Sequence, residues 1–159
     1  LLKVFLDSSA VVKRYVSEPG SSSVDYVIDK GLSGESFLAT SIWNIGEVLG
    51  VLDTRLRRGW LDEDEFKRAL EYFSNEILRL VRLRILEVFP VLTSMLVETW
   101  PMILSKHIYE ADGLQIQTSI YSGSDVLLSG DRRLIGVASK VGLKAVNVEN
   151  ESVVKGLFK

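Results

Sequence analysis

The sequence predicts an α/β fold: a three-layer sandwich in which a mostly parallel sheet of about five strands is flanked by helices. Three observations predict it. Short apolar runs bounded by turn residues recur five times along the chain. Segments of helical period separate them, as connections between parallel strands require. The composition is globular: 159 residues, 47% apolar and 25% charged, suit one domain over 1–159 that buries its own core.

The elements follow in order. Val4-Phe5-Leu6 is a buried strand ending at Asp7. A short helix runs from Ser8 to Tyr15, with Ser8 or Ser9 as cap, and Ser17-Glu18-Pro19-Gly20 breaks it. A helix from Ser22 to Lys30 leads to a second strand, Ser36 to Thr40. Ile45, Val48, Leu49, Leu52 and Leu56 then recur at helical spacing until Gly59. Asp62 opens the next helix, with Glu65 placed for a capping box and Phe66, Ala69, Leu70, Phe73, Ile77 and Leu80 as its apolar stripe. These two helices form a charged hairpin over 42–84. Ile85 to Phe89 is the third strand, and Pro90 ends it. Helices follow from Thr93 toward Ser105, where Pro101 is expected to kink or shorten the first, and from Tyr109 to Tyr121. Asp125 to Ser129 is the fourth strand, Arg132 to Val141 a helix, and Lys144 to Val148 the last strand. After Glu149 the pattern predicts no element.

Several chemistries are excluded. With no cysteine there is no disulfide scaffold, thiolate zinc site or cysteine nucleophile. His107 is the sole histidine, so paired-histidine metal motifs are impossible. A net charge of −2 is not that of a protein holding nucleic acid by charge alone. No apolar run reaches membrane-spanning length, and Asp7 interrupts the first one too early for a signal peptide. A cytoplasmic location is therefore the expectation.

The acids fall in a pattern. In open parallel sheets, sites form beyond the carboxyl ends of the strands. Asp7 directly follows the first strand and Asp131 the fourth, so both project toward one sheet edge. Glu47 lies early in an otherwise apolar stretch of the helix after the second strand. Asp112 lies early in the helix before the fourth, followed by uncharged Gly113, Leu114, Gln115 and Ile116. Taken singly, an Asp after a strand reads as well as a helix cap, and Asp112 as a first-turn charge. Taken together, four carboxylates in one pocket repel unless a divalent cation offsets them. An oxygen-only donor set suits Mg2+ or Mn2+. Such an ion serves phosphodiester hydrolysis. Ser9 is placed to orient Asp7 or a metal-bound water, and Ser129 to do the same for Asp131. A phosphotransferase with Asp7 as nucleophile would want a second Asp at position 9, which is Ser9. A receiver-type domain would want an Asp after the third strand, which ends Phe89-Pro90.

On the run from Val4 to Gly20, on Glu47 after Ala39-Thr40-Ser41, on Ala111-Asp112-Gly113-Leu114 and on Val126 to Leu134, the sequence resembles the PIN-domain nucleases, most closely their VapC-like toxin branch. Ala138 and Gly142-Leu143 extend the match over nearly the whole chain. The resemblance implies a metal-dependent endoribonuclease, the toxin of a toxin-antitoxin pair. Asp7, Glu47, Asp112 and Asp131 would be its acidic, Mg2+- or Mn2+-binding residues, and Ser9 their hydroxyl partner. It also implies an RNA substrate, a small antitoxin partner that covers the acidic pocket, and a homodimer. The alternative is a weak or inactive PIN-like domain that binds RNA or serves as a scaffold. Gly113, Gln115 and Gln117 depart from the small apolar run usual after the third acid, and predict a disturbed or wetted helix. The hairpin is long for the toxin branch.

Lys13, Arg14 and Arg132 are the candidates for phosphate contact, with Arg133 beside them. Arg55, Arg57, Arg58, Arg79, Arg82 and Arg84 read as a solvated helical surface, since Asp62 to Glu65 lie in the same hairpin, with RNA phosphate contact as the second reading. Trp43, Trp60 and Trp100 read as core or interface anchors, with stacking on RNA bases as the second reading, and His107 as a surface or boundary residue. Asp125 belongs to the opposite sheet edge, and Asp25, Asp29 and Asp53 read as surface charges.

Overall fold

A computed structural model describes residues 1–159. Its five strands are β1 (Leu2–Leu6), β2 (Ser36–Ser41), β3 (Leu86–Phe89), β4 (Val126–Ser129) and β5 (Ala145–Asn147). They form one all-parallel sheet in the order β3-β2-β1-β4-β5. The alternation of strand and helical patterns thus gives the expected α/β sandwich. Val4 pairs with Leu38 on one side and Val126 on the other, so β1 is central.

Side-chain alternation sorts the core into two layers. Val4, Leu6, Leu38, Leu86, Val126 and Leu128 face one way. They pack on α1 (Ser8–Val11), α2 (Ser21–Leu32), α3 (Ile42–Arg57), α4 (Glu63–Arg82) and α8 (Glu151–Gly156). Phe5, Ala39, Phe89 and Leu127 face the other way, against α5 (Thr93–Lys106), α6 (Glu110–Tyr121) and α7 (Arg132–Lys140). Helices change face where the strand order reverses. The first two connections run outward from β1 to β3, and the chain then returns to lay β4 on the other side of β1. The crevice above β1 and β4 is therefore the topological switch point of the sheet, where ligands of open α/β folds bind.

Local chemistry fixes the helix ends. Asp62 and Glu65 form the expected capping box at the start of α4. The cap of α1 differs from expectation: it is Asp7, whose carboxylate accepts from the Ala10 N–H, and not Ser8 or Ser9. Asp131 caps α7 in the same way, accepting from Arg133 and Leu134. A single turn of 3-10 helix, Val12–Arg14, continues α1. Pro101 does not shorten α5, which runs on to Lys106. The tail without a predicted element forms α8, capped by Asn150 and anchored by buried Val154. The three tryptophans are not core: each is about half or more exposed.

Gly113 does not disturb α6, which is continuous from Glu110 to Tyr121. It allows α6 to lie against α5, because a Cβ there would stand 2.9 Å from the Cβ of Thr99. That neighbour is next to backbone and cannot swing aside. Gly113→Ala is expected to cost about 1–3 kcal/mol through overpacking, read as a lower urea midpoint at unchanged slope.

Candidate active site

The switch-point crevice holds a cavity of about 80 Å³. Asp7, Glu47, Asp112 and Asp131 all line it, with Ser8, Ser9 and Gln115. Four acids from distant stretches of the chain are therefore brought together by four different connections of the sheet.

Asp7 sits deepest, 3% exposed. One carboxylate oxygen accepts from Ser9 Oγ at 2.7 Å and the Ala10 N–H at 2.8 Å. The other accepts from Ser129 Oγ at 2.6 Å. Burial raises its pKa to about 6 despite these bonds, and nearby Asp131 adds to the rise. Ser129 also accepts from the Asp131 N–H, so it serves Asp7 and the Asp131 backbone, not the Asp131 carboxylate as expected. Ser9 accepts from the Gly130 N–H at 2.7 Å and ties the loop after β4 to α1.

Glu47 is held from both sides. Ser8 Oγ donates to one oxygen at 3.2 Å and Gln115 Nε2 to the other at 3.0 Å. Behind it runs a buried polar string. Gln115 also donates to Asn44 Oδ1, and Asn44 donates to Thr40 Oγ1 and the Leu6 carbonyl. Burial pushes the Glu47 pKa up, and Asp112 adds to this. Asp112 is likewise raised by burial first and by Asp131 second, with Arg133 working against it.

The sequence reading missed Ser8, Asn44 and the role of Gln115. Two signals were available: Asn44 precedes Glu47 by three residues and Gln115 follows Asp112 by three, each pair on one helix face. Gln115, expected to wet or disturb α6, is instead buried and bonded to the site. Gln115→Leu is expected to slow any reaction at this cavity roughly 10-fold by releasing Glu47. Rates for this variant and for Gln115→Glu would check it.

Two of the three cations expected at phosphate are engaged elsewhere. Arg14 forms a two-pronged bond to Glu76, at 2.8 and 3.0 Å, and a further one to Asp25. Its guanidinium pins the 3-10 turn to α4 and α2 and is not free to bind substrate. Lys13 is buried, with Nζ 3.1 Å from Glu18, and lies beside Gly130. Arg132 is exposed and forms no ion pair. Arg133 donates to the His107 carbonyl and lies over the Tyr109 ring, bracing the loop before α6. Asp125 lies at the opposite edge, as expected, accepting from the Lys3 N–H at 2.7 Å.

The donors are all oxygen, and burial opposes the charge of three of the four acids, which a cation would offset. Gln115 Oε1 is buried without a hydrogen-bond partner. No three acids are drawn together into a ready-made metal shell. An all-oxygen donor set is the kind that suits a hard divalent cation.

No family model matches the chain, and no curated protein sequence does. Solved structures do. PAE2754 from Pyrobaculum aerophilum is 18% identical, with a TM-score of 0.67, over 98% of this chain and 95% of that one. FitAcB from Neisseria gonorrhoeae is 16% identical, TM-score 0.64, over 92% and 99%. VapC20 from Mycobacterium tuberculosis, described as a sarcin-ricin loop cleaving toxin, is 14% identical, TM-score 0.61, over 88% and 95%. At these identities the likeness is one of architecture, and it covers both partners almost end to end. The chain has the PIN-domain fold in its VapC-like form.

Proposed function

We propose that this protein is a divalent-metal-dependent endoribonuclease, the toxin of a toxin-antitoxin pair. The observation that carries the reading is the cavity at the switch point, lined by Asp7, Glu47, Asp112 and Asp131. Its fold relative VapC20 bears the description of a sarcin-ricin loop cleaving toxin.

The four acids would hold Mg2+ or Mn2+. When bound, such an ion offsets the crowded carboxylates, polarises a phosphate oxygen and lowers the pKa of a water. The chain supplies orientation. Asp7 is fixed by Ser9, Ser129 and Ala10, and Glu47 by Ser8 and Gln115. Asp131 spends one oxygen on the cap of α7 and keeps the other for the cavity. Hydrolysis adds water across a P–O bond, and the departing oxygen takes up a proton. Arg132, exposed next to Asp131 and without an ion pair, is the cation left to meet a phosphate.

A homodimer and a small antitoxin that covers the cavity belong to the same reading, as does a cytoplasmic location. No helix is long and apolar enough to cross a membrane. Trp100 and Leu104 on α5 are exposed and offer apolar area for such contacts. A second reading, an inactive RNA-binding or scaffold domain, draws on the absence of a preformed shell of three acids. Incubating single-stranded RNA with the protein separates the two. Cleavage with Mg2+ or Mn2+, lost in EDTA and restored by added metal, is expected. RNA binding without cleavage under any metal would favour the scaffold.

A further inference from the structure

Glu47 forms part of two walls. One encloses the acid cavity. The other borders an open groove of about 460 Å³ along α3, lined by Glu47, Gly50, Val51, Thr54, Arg55 and Trp60. The groove starts at the acid cavity and ends at the Trp60 ring. Glu47 to Thr54 spans about 10 Å of helix.

The construction of the groove suits a strand of nucleic acid. Gly50 presents no side chain, and a Cβ there would meet nothing within 4 Å, so packing does not demand a glycine. Thr54 offers a hydroxyl. Trp60 is 64% exposed, although tryptophan is the side chain with most to gain from burial. Its backbone is held all the same. Gly59, at φ +70°, turns the chain back, and the Trp60 and Leu61 N–H groups both donate to the Arg55 carbonyl. Arg58 lies over the ring at 5.1 Å and forms no ion pair with any acid. An exposed indole on a hydrogen-bonded backbone turn, with a free guanidinium beside it, matches the stacking platform that binds single-stranded bases while a cation meets the backbone.

We propose that Trp60 and Arg58 form a base-stacking subsite for single-stranded RNA lying in the α3 groove, away from the scissile phosphate. The proposal rests on reading the acid cavity as a nuclease centre. It also assigns Trp60, expected from the sequence to be a core or interface anchor, to the substrate.

The test is direct binding of a labelled single-stranded oligoribonucleotide, by fluorescence anisotropy at fixed salt. The protein carries Asp7→Asn so that RNA stays intact. Trp60→Ala is expected to weaken binding roughly 5- to 100-fold, and Trp60→Phe to retain most of it. Trp60 is exposed, and a thermal melt of each variant verifies folding. Equal affinity of Trp60→Ala and its parent would overturn the subsite while leaving the nuclease reading intact. Absence of RNA binding and cleavage by the unmutated chain would overturn both. Loss of self-association in Trp60→Ala at unchanged RNA affinity would assign this face to a second copy, and would also overturn the subsite.

Discussion

Asp7→Asn is expected to abolish metal-dependent RNA cleavage and, in the same variant, to raise the thermal stability of the metal-free protein. The two effects have one cause. Asp7 is buried, and without a cation its charge opposes the fold. Its pKa moves from 3.8 to about 6, so carrying that charge at neutral pH costs about 3 kcal/mol. Asparagine keeps the volume and one acceptor oxygen for Ser9 and Ala10, but has no acceptor for Ser129. A net gain of about 1 kcal/mol, or about 2–4 °C, remains.

The sign with pH is fixed. The folded pKa lies above the unfolded one. The wild-type penalty is therefore absent below 3.8, grows between 3.8 and about 6, and is complete above 6. The variant's advantage in EDTA should be largest above pH 6 and shrink as the pH falls toward 4. Melting curves across that range check it. Saturating Mg2+ or Mn2+ should stabilise the parent more than the variant, narrowing or reversing the difference. Equal cleavage by parent and variant would place the activity elsewhere or in a contaminant.

Glu76→Gln is expected to be the most damaging change outside the cavity. The Arg14–Glu76 pair is largely buried, with side chains 15% and 8% exposed. Arg14 holds the Glu76 pKa down and Glu76 holds the Arg14 pKa up, against the opposing effect of burial on each. Removing the acid strands a guanidinium among Tyr15, Tyr72 and Phe73, with only half-exposed Asp25 left to pair with it. A loss of about 3 kcal/mol follows, or about 6–12 °C. Arg14→Met combined with Glu76→Leu should recover most of it, because neither charge is then left alone. Glu76 titrates below its usual 4.5. Its contribution is therefore present above 4.5 and lost as the pH falls through the lowered folded value. Denaturant unfolding of the parent and the two variants measures both the loss and the recovery.

These residues also show what the sequence could and could not reveal. Asp7 and Asp131 were legible because each ends an apolar strand, and the carboxyl edge of a parallel sheet is where such residues meet. Each carboxylate caps a helix and also lines the cavity, so the cap does not exclude a role there. Glu47 was legible as a lone acid on an apolar helix. Arg14 was misread because Glu76 lies 62 residues away among the many charges of α4, where nothing marks it as buried. Gln115 was read as a flaw in α6 because its partners, Asn44 and Glu47, come from a helix 68 or more residues earlier. Local pattern gives elements and their edges. Long-range polar pairs appear only once the sheet order brings their helices together.

The position of a bound ion decides whether the four acids form one metal site. Crystals soaked in Mn2+ should give an anomalous peak inside the cavity lined by Asp7, Glu47, Asp112 and Asp131, and Asp7→Asn crystals should lose it. A cavity free of manganese at millimolar concentration, or a peak elsewhere with cleavage intact, would rule the cavity out as the metal site.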